Sequence, residues 1–70
     1  MSNGIVIQVN GESRPTPAGT TVRGLLDQLG LNPGRVAIEY NLRILPKEKW
    51  DETCVTSGDR LEIVQFVGGG

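Results

Sequence analysis

The most distinctive chemistry in this 70-residue sequence lies in Gly68-Gly69-Gly70, which follow directly on the apolar run Leu61-Glu62-Ile63-Val64-Gln65-Phe66-Val67. Glycines have no β-carbon to block a narrow channel, and they carry the largest entropic cost of ordering. Three of them form a thin leash reaching about 10 Å at roughly 3.3–3.6 Å per residue. Composition alone does not decide between a frayed end without a role and a tail with one. Few other residues offer chemistry. The chain has no histidine and a single cysteine, Cys54. That removes histidine acid–base catalysis, Ser–His and Cys–His nucleophile pairs, intrachain disulfides and Cys/His zinc cages. Nothing near Cys54 in the sequence supplies a histidine or helix N-terminus to depress its pKa, so it reads as a passive small residue. Lys47-Glu48-Lys49 reads as a solvated face, with complementarity to an acidic partner left open. No Gly-rich phosphate loop is present. The residues therefore describe a binding or carrier module rather than an enzyme.

Composition narrows the class further. Hydrophobic residues at 37% and charged residues at 21% fit a globular fold rather than a disordered one. Seven basic against eight acidic side chains leave a net charge of −1, with no excess to hold nucleic acid or an anionic membrane. The N-terminal residues show no signal-peptide pattern, and no run nears the roughly 18 apolar residues of a membrane helix. The expected location is the cytoplasm. The expected organisation is one domain over 1–67 followed by a flexible tail, 68–70.

The elements that must position the tail follow from local patterns. Ile5 to Val9 is a β-branched run leading into Asn10-Gly11, a strong hairpin signal. The return strand, Glu12 to about Thr16, contains Pro15 and is followed by Pro17, which predicts a sheet edge. Val22, Leu25, Leu26 and Leu29 fall on one helical stripe, capped by Thr20 or Thr21 at the start and Gly30 at the end. Arg23 and Asp27 are spaced for an ion pair. Gly24 is unfavourable inside a helix and is read as permitting close helix–sheet contact. Asn32-Pro33-Gly34 reads as a turn, Val36 to Tyr40 as a strand, Leu42 to Leu45 as a short strand and Pro46 to Trp50 as an irregular or 3₁₀ turn. Trp50 is expected to cover the core. Ser57-Gly58-Asp59 is a further turn, and Leu61 to Val67 the last strand. One amphipathic helix must cover one face of a mixed sheet of four to five strands, which makes the fold an α+β roll.

A ββαββ roll ending in Gly-Gly resembles the ubiquitin-like β-grasp fold. The segments Gly58-Asp59-Arg60-Leu61-Glu62-Ile63-Val64-Gln65-Phe66-Val67-Gly68-Gly69-Gly70, Thr21-Val22-Arg23-Gly24-Leu25-Leu26 and Val36-Ala37-Ile38-Glu39-Tyr40-Asn41, with Pro46 and Trp50, resemble the ThiS/MoaD family of sulfur carrier proteins. The ending is similar to the thiamine-pathway carriers in particular. The resemblance implies that an E1-like adenylyltransferase uses ATP to convert the Gly70 carboxylate to an acyl-adenylate. A sulfur donor, such as the persulfide of a cysteine desulfurase, then leaves a thiocarboxylate that a thiazole synthase consumes. It implies no bound cofactor and no catalysis by the chain itself. Two rivals stay open: a carrier for molybdopterin, a thiolated nucleoside or an amino acid, and a ubiquitin-like binding module that is never activated.

Strand alternation predicts the partner surface. If Leu61 and Ile63 face the helix, Val64 and Phe66 face away from it. If Ile5, Ile7 and Val9 face the helix, Val6 and Gln8 face away. Val6, Val64 and Phe66 are thus expected to form one exposed apolar stripe leading to Gly68, Gly69 and Gly70.

Overall fold

A computed structural model of the chain describes residues 4–67. A hairpin comes first: β1 (Gly4–Val9) pairs antiparallel with β2 (Glu12–Pro17). Asn10 and Gly11 form its two-residue turn with φ of 51° and 83°. Two successive left-handed residues match the twist of the flanking strands, which is why Asn-Gly specifies the connection. β2 lies at the sheet edge, where Pro15 and Pro17 interrupt no interior ladder. Thr16, buried within it, donates a hydrogen bond to Gln28 on the helix.

The helix α1 (Val22–Leu29) buries Val22, Leu25 and Leu26, with Leu29 partly buried against the core. Thr21 is its N-cap, its hydroxyl accepting from Gly24 N–H at 3.0 Å. Gly30 closes it in the left-handed conformation, with Gly30 N–H donating to Asp27 O and Leu31 N–H to Leu26 O. Two expectations fail here. Arg23 and Asp27 make no ion pair; among the described residues the only one joins Lys49 and Glu52. Gly24 does not clear the sheet either. A β-carbon there would meet the Thr21 hydroxyl at 3.3 Å and the Thr20 methyl at 3.7 Å, so the glycine makes room for its own cap.

Beyond the helix, Pro33–Arg35 forms a short 3₁₀ turn that leads into β3 (Val36–Tyr40) and the two-residue β4 (Arg43–Ile44). A second 3₁₀ turn, Lys47–Lys49, precedes Trp50, which is buried and donates its indole N–H to Leu45 O at 3.0 Å. The last strand, β5 (Arg60–Gln65), runs up the centre of a five-stranded sheet ordered β2-β1-β5-β3-β4. It is parallel to β1 and antiparallel to β3. Ile7, Val9, Val36, Ile38, Leu61 and Ile63 meet the helix stripe, Trp50 and Val55 in one core. Among the described residues no helix is long and apolar enough to cross a membrane.

Candidate functional site

Gly68, Gly69 and Gly70 lie outside the described residues. What the structure gives is the strand that delivers them. Leu61 and Ile63 are buried against the helix while Val64 is 57% exposed, so the alternation read from the sequence holds along β5. Phe66 N–H still bonds Arg35 O at 2.8 Å, which keeps the backbone on the ladder one residue beyond the strand. Phe66 itself is 56% exposed.

Val6 is also exposed, yet it does not join these residues, and the expected continuous stripe is corrected. β1 and β5 are parallel with Gln8 beside Arg60, and Gly58 N–H donates to Val6 O at 2.9 Å. Val6 is therefore level with Gly58, six positions before Val64, or about 20 Å away along the strand. It neighbours Pro15 of β2 instead. The sequence pattern showed which face each residue occupies but not the relative direction of two strands 50 positions apart.

The apolar surface beside Val64 comes from the other side of β5. Ala37 is directly opposite Val64, and Ile44 of β4 is opposite Glu39, which in turn is opposite Glu62. All five are exposed. Leu42, at the tip of the β3–β4 hairpin, is exposed as well and has φ of 73° after Asn41 at 52°. A leucine in the left-handed region is strained, since its β-carbon crowds the backbone. Sequence reasoning did not find this second apolar strip, because β4 contributes only two residues.

Two polar side chains hold the base of β5. Asp59 is buried and accepts from Thr56 N–H at 2.8 Å, from Asn41 Nδ2 at 3.2 Å and from the Tyr40 hydroxyl in a short contact. Burial pushes its carboxyl pKa up, but the bonds from Tyr40, Thr56 and Asn41 outweigh that and hold it below the ordinary value. Burial, then the Asp59 carboxylate, drive the Tyr40 phenol up to about 12. Higher along β5, Asn10 donates from Nδ2 to Ile63 O at 3.2 Å and accepts Ile63 N–H on Oδ1 at 2.7 Å. Its side chain thereby occupies the place of another strand. Both anchors carry a sequence signal only as turn residues. Cys54 is exposed and bridges Thr21 at the start of α1, and Lys47 and Lys49 are exposed.

Comparison with known proteins follows the same outline. The sequence model of the ThiS family matches residues 7–70. The chain is 48% identical over 62 residues to a thiazole synthase of Paramagnetospirillum magneticum, covering 89% of this chain and 19% of that protein. It thus spans about a fifth of the length of the first curated relatives it matches. It is 34% identical over 64 residues to the sulfur carrier protein ThiS of Escherichia coli, covering 91% of this chain and 97% of that one. The crystal structure of a thiamine biosynthesis protein (ThiS) from Geobacter metallireducens superposes with a TM-score of 0.78 at 32% identity, over 94% of this chain and 100% of the other. A designed protein based on human ubiquitin shares the fold, with a TM-score of 0.57 at 20% identity over 97% and 96% of the two chains. The mixed sheet with one helix across it is a β-grasp.

Proposed function

Because the chain belongs to the ThiS family, we propose that it is a cytoplasmic sulfur carrier for the thiazole moiety of thiamine, and that Gly70 is its reacting residue. The observation that carries this reading is the family match, which extends through β5 to Gly70. A carboxylate resists nucleophiles through its charge. Attack of a Gly70 oxygen on the α-phosphorus of ATP forms the acyl-adenylate and releases pyrophosphate, which gives the carbonyl a leaving group. Sulfide then forms the C–S bond as the C–O bond to AMP breaks, leaving a thiocarboxylate. A persulfide instead forms an acyl disulfide, which a thiol reduces by two electrons to the same product. The chain supplies the leash and the docking face. An E1-like adenylyltransferase supplies the catalytic groups and ATP site, and a cysteine desulfurase supplies the persulfide.

A thiazole synthase is the proposed acceptor. The thiazole synthases among its relatives contain a stretch similar to this chain within one polypeptide. Covalent joining raises the effective concentration of one module at the other, which is useful when the two must meet.

The test is pyrophosphate exchange with a purified E1-like adenylyltransferase, ATP and magnesium. Exchange is expected with the unaltered chain and is lost when an alanine follows Gly70. Intact mass after addition of the sulfur source rises by about 16 Da (the oxygen-to-sulfur difference), localised to the last peptide so that oxidation of Met1 or Cys54 is distinguished. Equal exchange by a variant lacking all three glycines refutes the proposal.

A further inference from the structure

The outer face of the sheet contains a like-charge pair that no ion pair balances among the described residues. Glu39 and Glu62 are directly opposite each other on β3 and β5, and both are exposed. The bonds Asn41 N to Arg60 O and Phe66 N to Arg35 O fix the alternation of this ladder. They make 39/62 and 37/64 the hydrogen-bonded pairs, with Cα atoms about 5.5 Å apart. Like charges at that spacing destabilise a sheet. Among the described residues neither carboxylate has an ion-pair partner. Arg60 is the nearest cation in the register, diagonal to Glu39 and two residues from Glu62, and it pairs with neither. Apolar side chains flank the pair on two sides: Val64 with Ala37 toward the end of β5, and Ile44 on β4. The charge sits between apolar groups, where a docked protein would exclude water and strengthen any match.

We propose that Glu39 and Glu62 together receive one cationic side chain, an arginine or lysine projecting from an otherwise apolar patch of the protein that takes the tail. The inference rests on the reading of the chain as a carrier that docks on its partners, and it identifies the chemistry of the partner's surface. Charge complementarity selects this occupant over others. A second copy docking by a two-fold contact brings the same carboxylates onto themselves. Arginine suits the site because its planar fork can donate to two carboxylates at once.

The test compares Glu39→Gln, Glu62→Gln and the double variant by urea unfolding and by binding to the purified adenylyltransferase and thiazole synthase across a salt series. Each single substitution is expected to raise the unfolding midpoint by relieving repulsion, and to weaken binding about fivefold to tenfold with a shallower salt dependence. The double variant is expected to lose more than the product of the singles, because the first change leaves the cation one partner and the second leaves none. Unchanged binding, independent losses or a lowered midpoint in the single variants each overturn the inference. Phe66→Ala separates it from the underlying reading. Loss of binding in that variant with none in the glutamine variants removes the shared cation and keeps the docking face. Failure of the unaltered chain to bind either enzyme removes both.

Discussion

Replacing Asp59 by asparagine takes away the one charge around which the base of β5 is organised. Asp59 is only 8% exposed, and its carboxylate accepts from Tyr40, Asn41 and Thr56. Hydrogen bonds to a charged group contribute about 1.5–3 kcal/mol each, and an unpaired buried partner costs a similar amount. Asparagine keeps one oxygen for Thr56 N–H, but presents an amide donor where the carboxylate had accepted. The expected loss is about 2–4 kcal/mol, a large share of the roughly 5–15 kcal/mol that holds a small domain. At about 4–8 °C per kcal/mol for this size, the lower estimate already lowers Tm by roughly 8–16 °C. The pH dependence supplies a second sign. The native carboxyl pKa is held low, so its stabilisation is fully present above the unfolded value of about 4 and is lost as pH falls through the native value. Urea unfolding followed by Trp50 fluorescence between pH 7 and pH 3 should show an acid-dependent component in the unaltered chain that the variant lacks. The Tyr40 phenol, raised to about 12, should titrate closer to its ordinary value in the variant. A variant as stable as the original at pH 7, or with the same acid slope, refutes the assigned role of the network.

Three further outcomes are expected. Leu26→Ala, at a fully buried position, should cost about 2–5 kcal/mol in denaturant unfolding, and an unchanged midpoint would show that the helix stripe is not the core face. Phe66→Ala should weaken binding to the adenylyltransferase or thiazole synthase by about tenfold while changing stability by less than about 1 kcal/mol, with Ile63→Ala showing the reverse. Val6→Ala should leave both affinities within about twofold, because its place beside Gly58 removes it from the surface near the tail; a loss equal to that of Phe66→Ala would restore the continuous stripe.

What the sequence disclosed was local. The Val22/Leu25/Leu26/Leu29 stripe, the Thr21 and Gly30 caps, the Asn10-Gly11 turn and the prolines of the edge strand each act within a few residues, and all are present in the structure. The outward set of β5 was legible for the same reason, since side-chain direction alternates residue by residue. Contacts between distant segments were not. The separation of Val6 from Val64 depends on the parallel register of strands joined only through the rest of the chain. Asn10 meets Ile63 across 53 positions, and Asp59 meets Tyr40 across 19; each residue looks like ordinary turn chemistry where it stands. Arg23 and Asp27 show the opposite error, a favourable spacing that the folded chain leaves unused.

The parallel pairing of β1 with β5 also decides how the molecule bears load. β1 enters the sheet at one end and β5 leaves it at the other, so tension between Gly4 and Val67 slides neighbouring strands past each other. In that shearing geometry Gly58 N to Val6 O, Gln8 N to Asp59 O and Asn10 N to Leu61 O, each 2.9 Å, stretch together rather than opening one by one like a zipper. The two bonds from the Asn10 side chain to Ile63 add rivets at the end nearest the pull. Resistance to forced unfolding is a matter of rate, set by how many bonds must yield in the first step. Tension applied between Gly4 and Val67 is thus met by several backbone bonds at once, along the direction in which the sheet yields least readily.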